Sequence, residues 1–156
     1  MFSYIFFAFL LASAATCAIL ISVSDFRRRI IPDAYLFPLM LIGLILIAFY
    51  SFPLPLPDAV IGASFGYIMS ATIGWIFDAI LHARNPKSDT PIGMGDIKLL
   101  GVGGLWLGVS GLSIALIVAC ILGVLWARHH NQRFIPFAPF FFIGGFLSLI
   151  TNLFLL

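Results

Sequence analysis

The chain has 156 residues, 62% of them apolar and only 9% charged, where a soluble domain carries roughly a quarter of charged residues. That composition excludes a water-soluble globule and also intrinsic disorder, which needs low hydrophobicity. A net charge of +2 is too small to make nucleic acid the main partner, and what remains is a polytopic membrane protein.

A bilayer core of about 30 Å takes roughly 20 helical residues per crossing, so the length accommodates about six spans and no separate soluble domain. The expected fold is all-α, a polytopic membrane helical bundle forming a single membrane-embedded domain over 1–156. The first apolar run, Phe2 to Val23, carries no charge. It lacks a basic segment ahead of it and exceeds the length of a signal-peptide core, so it reads as a retained first helix. Cys17 here and Cys120 later lie within apolar runs and form no CxxC, so they read as packing residues.

Arg27-Arg28-Arg29 and Pro32 mark the first gap, and Asp33 reads as a cap for the second run, Ala34 to Phe52. Pro53, Pro55 and Pro57 make the second gap, with Asp58 as a solvated loop residue. The third run, Ala59 to Ile80, contains Gly62-x-x-x-Gly66, a spacing that lets helices approach closely in lipid. Asp78 near its end reads as a headgroup-level residue or a partner of Arg84. His82 to Asp89, with Pro86 and then Pro91, forms the third gap. The fourth run, Ile97 to about Val109, is short, since about 13 to 16 residues rise only about 20 to 24 Å. Gly108 to Gly111 is a tight fourth gap, Leu112 to Ala127 the fifth run, Arg128 to Arg133 the fifth gap, and Phe137 to Leu156 the last run.

All eight Lys and Arg residues fall in or beside the odd gaps. The positive-inside rule therefore places those gaps in the cytoplasm and both chain ends on the outer face. The same parity requires the short fourth run to cross, because otherwise Arg128 and Arg133 would lie outside.

Six acids occur, all aspartates. Asp25 ends the first helix, where the negative pole of the helix dipole disfavours a carboxylate, and Asp96 begins the fourth, after Gly93-Met94-Gly95. Singly, Asp25 reads as a neighbour that neutralises arginines and Asp96 as an N-cap. Together they fall at one membrane level and form a candidate acid/base pair, in which one group keeps its proton while the other activates water. The helix poles favour Asp25 as the acid and Asp96 as the base. Glycines 93 and 95 let an extended substrate backbone approach. His82, His129 and His130 lack carboxylates at metal-ligand spacing and read as solvated loop residues, and no phosphate loop, HExxH or GxSxG occurs. Neither a metal nor a cofactor is expected.

Asp25 followed by Ile31-Pro32-Asp33, then Gly93-Met94-Gly95-Asp96-Ile97-Lys98-Leu99-Leu100, resembles the paired motifs of the type IV prepilin peptidases, membrane aspartyl proteases with a GxGD aspartate. Ile135-Pro136-Phe137-Ala138-Pro139-Phe140 is similar to the PFGPF segment of that family, with Ala138 in place of its usual glycine. GxGD alone also occurs in presenilin-like proteases, but the Ile-Pro spacing and the GxGDxKL extension favour the prepilin group.

The resemblance implies a hydrolase of the bacterial inner membrane that removes the leader of prepilin-like (pseudopilin) precursors at the cytoplasmic face. These precursors serve type IV pilus or type II secretion machinery. Asp25 and Asp96 would be catalytic, and Gly93, Gly95 and Lys98 would bind substrate. Larger members carry an insertion with two CxxC pairs and N-methylate the new terminus. Only about ten residues join the first two helices here, so peptidase activity without methylation is expected. The competing expectations are a small proton-coupled transporter or channel and an inactive assembly scaffold. The substrate proteins and the bilayer are the expected partners, and the oligomeric state is left open.

Overall fold

The computed structural model describes residues 2–84, 92–130 and 135–155. Helices follow in the order α1 (Phe2–Arg28), α2 (Asp33–Tyr50), α3 (Leu56–Arg84), α4 (Met94–His130) and α5 (Phe137–Leu155). The first four are each long and apolar enough to cross a bilayer, and α5 is as apolar as they are.

α4 is not one straight rod. Gly108 takes φ 67° and ψ −175°, a backbone state essentially confined to glycine. In one rod Leu100 and Leu112 would stand about 18 Å apart. Here both crowd Gly66 of α3: an added Cβ would strike the Leu100 carbonyl and come within 2.9 Å of Leu112 Cδ2. Trp126, near the end of α4, stacks edge-on against Phe26 at the end of α1, with ring centroids 5.8 Å apart. Gly95, at the start of α4, meets Ile31 at that same end. The helix therefore folds back at Gly108 into two arms, 94–107 and 109–130. Counting the arms separately gives six helical rods among the described residues, the expected bundle of about six helices, and the turn between the fourth and fifth rods needs one glycine rather than the four residues expected.

Close glycine seams hold the arms in place. A Cβ at Gly62 would overlap the Gly104 carbonyl, and one at Gly104 would overlap the Gly62 carbonyl, so α3 and the first arm touch backbone to backbone, as the Gly62-x-x-x-Gly66 spacing predicts. Gly144 of α5 meets Ala115 of the second arm in the same way, with a built Cβ 2.6 Å from its carbonyl. Around these seams the core is filled by Ile21, Leu36, Leu99, Leu112 and Phe141, each at most 2% exposed.

Several loop assignments shift. α1 runs on past Val23 to Arg28, and α3 begins at Leu56, so Asp58 lies exposed in its first turn rather than in a loop. There the positive helix pole favours it. His82 lies on α3, and His129 and His130 on the last turn of α4, also helical rather than in loops; the His130 ring stacks on Trp126 with centroids 4.6 Å apart. Asp89, Lys87, Pro86, Pro91 and Arg133 lie outside the described residues, as does the Arg84 side chain.

Candidate active site

Asp25 occupies the last turn of α1, which ends where Arg29 takes the left-handed conformation (φ 56°) and donates its backbone N–H to the Asp25 carbonyl at 3.0 Å. The Asp25 side chain is 6% exposed, and a buried carboxylate needs hydrogen-bond partners. Ala138, the second residue of α5, donates its backbone N–H to Asp25 Oδ2 at 2.8 Å. The first N–H groups of a helix have no partner within it, and Pro136 just before α5 and Pro139 within its first turn sit where a missing N–H costs nothing. The start of α5, which carries the segment similar to PFGPF, thus anchors Asp25.

The negative pole of α1 and the positive pole of α5 therefore both act on the Asp25 carboxylate.

Asp96 is the third residue of α4 rather than its N-cap. Its own N–H and that of Ile97 donate to the Gly93 carbonyl at 3.0 and 3.3 Å, while its half-buried side chain turns back to accept from the Gly93 N–H, as a carboxylate does at the third position of a capping box. A Cβ at Gly93 would stand 3.2 Å from Asp96 Oδ2, so the glycine leaves room for that fold-back. The Asp25 and Asp96 carboxylates lie near enough for their charges to act on each other, and both stand at the end of the bundle where Phe26 meets Trp126.

The other expected site residues gather around the pair. Gly93 keeps an exposed backbone, and Gly95 packs on Ile31, whose Cβ would lie 3.0 Å from a Cβ added there. Lys98 Nζ donates to Asp33 Oδ2 at 2.7 Å and lies 6.0 Å from the centre of the Phe37 ring. Pro32, not Asp33, is the N-cap of α2 and makes no side-chain cap bond; the Asp33 carboxylate is engaged by Lys98 instead. Asp78 Oδ1 lies 3.2 Å from His82 Nδ1, in a contact without hydrogen-bond geometry. Among the described residues, no three His, Cys, Asp or Glu side chains are grouped to hold a metal ion.

An apolar cavity of about 340 Å³ lies in the bundle between α1, α2, the first arm of α4 and α5, lined in part by Ala14, Ala18, Leu99, Gly103, Phe141 and Gly145. Neither carboxylate lines it: Leu99 is three residues beyond Asp96, about one helical turn, and Ala18 is seven before Asp25, about two turns.

A family model of the type IV leader peptidase family matches residues 12–128. This chain belongs to that family. It is similar to the prepilin leader peptidase/N-methyltransferase of Aeromonas salmonicida, 32% identical over 133 residues, covering 81% of this chain and 43% of the relative. The proteins of the same name from Pseudomonas putida and Pseudomonas aeruginosa are 31% and 33% identical, each over 83% of this chain and over 45% and 44% of the relative. The chain thus spans less than half the length of these curated relatives. No solved structure matches it.

Within the family frame the sequence missed one contributor, the Ala138 N–H. A backbone donor has no residue signature. The available clue was the pair of prolines framing the start of an apolar helix, which marks a helix N-terminus but not what it faces.

Proposed function

We propose that this chain is a membrane aspartic endopeptidase that cleaves the leader of type IV prepilin-like precursors at the cytoplasmic membrane face. The observation that carries this reading is that the Asp25 and Asp96 carboxylates come near enough at one end of the bundle to act on each other's charge, although no Cα of α1 lies within 8 Å of one in α4 among the described residues. Family membership and the names of the relatives support the choice of substrate.

In the proposed reaction the two carboxylates share one proton. The ionised one takes a proton from water as the water oxygen bonds to the scissile carbonyl carbon, and the protonated one gives its proton to the carbonyl oxygen. The resulting diol collapses as the carbon–nitrogen bond breaks: the leaving amine receives the proton that came from water, and a diol hydroxyl returns its proton to the carboxylate that had protonated the carbonyl oxygen, which restores the pair. The exposed Gly93 leaves the substrate backbone room beside Asp96, whereas the space over Gly95 is taken by Ile31. The apolar cavity receives the start of the precursor's apolar segment, so that the leader junction rests at the carboxylates. The distribution of Lys and Arg supports a cytoplasmic site in the inner membrane with both ends of this chain outside. The short connection between α1 and α2, residues 29–32, supports peptidase activity without N-methylation.

Asp25→Asn and Asp96→Asn variants, each co-expressed with a pilin-like precursor, test the proposal. Loss of leader removal in both supports it. Normal cutting by both variants eliminates the two-aspartate mechanism. A wild-type chain that cuts no such precursor points to a scaffold, and proton flux abolished by the same substitutions points to a transporter.

A further inference from the structure

The two acids stand on helices whose backbones do not touch, so something other than direct packing must fix their separation. From Asp25 the chain leaves α1 through residues 29–32 and enters α2 at Asp33. That connection is held to its own helix by the Arg29 N–H on the Asp25 carbonyl and by Ser24 Oγ, which donates to the Ile30 carbonyl at 3.0 Å. It is held to the start of α4 at two points. Ile31 fills the space over Gly95 so closely that a Cβ there would crowd it, and Asp33 Oδ2 receives Lys98 Nζ at 2.7 Å. Gly95 and Lys98 flank Asp96 in sequence, one residue before it and two after it.

We propose that the Asp33–Lys98 pair is a strap that sets the distance between Asp25 and Asp96, making both Asp33 and Lys98 positioning residues for the hydrolysis. The apolar contact at Gly95 resists compression but not sliding, whereas a charged pair at 2.7 Å is short and directional and fixes the register. Lys98 stands in the second turn of α4, close to the positive helix pole, where a cation gains nothing from the dipole; the Asp33 carboxylate and the Phe37 ring supply what that position lacks. The side chains are 36% and 47% exposed, and ion pairs so placed contribute little to overall stability. The strap's effect is therefore expected in catalysis rather than in folding, because small displacements of reacting groups are costly to rate.

This inference rests on the peptidase reading, and the test separates the two. Asp33→Asn, Lys98→Met, the double neutral variant and the reversed pair Asp33→Lys/Lys98→Asp are purified as full chains in lipid vesicles. They are assayed on a pilin-like precursor, alongside a distance measurement between spin labels at the exposed positions Phe26→Cys and Met94→Cys in a Cys17→Ser/Cys120→Ser background. Each single variant should lose at least tenfold in kcat with KM within threefold, and the double neutral variant should be no worse than either single one. The reversed pair should recover at least a third of wild-type kcat. The label distance should lengthen or broaden in the single variants and return in the reversed pair.

Wild-type kcat in Asp33→Asn overturns the strap, as does a Lys98→Met defect confined to KM that reversal does not restore, which would make Lys98 a direct substrate contact. An unchanged label distance overturns it as well. If wild type does not cut the precursor but the distances respond as described, the peptidase reading fails and the strap stands.

Discussion

The first arm of α4 meets its two neighbours in opposite ways. Against α3 it is sealed by glycines: Gly104 and Gly62 touch through their backbones, and Gly66 sits on the Leu100 carbonyl. Toward α1 its backbone stays apart, and the apolar cavity of about 340 Å³ lies between them. One face of the arm is a fixed support and the other is left open, on the side where the proposed chemistry would need space. A dense seam on one side keeps Asp96 in place while the opposite side is free to admit a ligand, since packed glycine interfaces tolerate no added volume.

Breaking the open side at its chemistry should produce the largest effect. Asp25→Asn or Asp96→Asn is expected to lower leader cleavage by about 10³-fold, on the order of 4 kcal/mol of barrier, with thermal stability within about 1 kcal/mol of wild type, read by gel-shift cleavage and thermal unfolding in detergent. On the sealed side, Gly62→Val should cost about 3 kcal/mol of stability through overpacking against Gly104 and Gly108, measured by denaturant unfolding. If that variant is as stable as wild type, the seam is not the support described here.

Filling the open side is the subtler intervention. Ala18→Phe is expected to leave stability within about 1 kcal/mol and to lower cleavage of the full precursor by about tenfold, while a short soluble peptide spanning the junction is cut normally. Equal loss on both substrates would mean that the cavity does not hold the apolar segment. The pH profile is the finest discriminator: one shared proton between coupled carboxylates gives a rate that falls on both sides of an acidic optimum. A rate that is flat through the acidic range would remove the shared proton.

Much of the fold was legible because a bilayer forces it. Charge-free stretches of about 20 residues have no other use for their length, so the apolar runs located the helices, and the glycine at 108 marked the reversal between the two arms of α4. The ends were less legible. Asp58 and the histidines at 82, 129 and 130 read as loop residues because they are polar, yet helices continue past the apolar segment when polar side chains there reach water or headgroups. Asp33 looked like a cap because a polar residue after proline at a helix start usually is one, and nothing local could reveal that Lys98 would face it.

By itself the sequence determined that the chain is a helical membrane bundle, that Asp25 ends one helix and Asp96 begins another, and that glycine-rich faces exist for close packing. These follow from composition, spacing and periodicity, which act over one or two helical turns. Only the tertiary structure decided that the N-terminus of α5 anchors Asp25, that Asp33 and Lys98 pair, and that α1 and the first arm of α4 stand apart above an open cavity. Those outcomes depend on where helices distant in sequence come to rest, and that is fixed by volume and by the need to satisfy buried polar groups across the whole bundle.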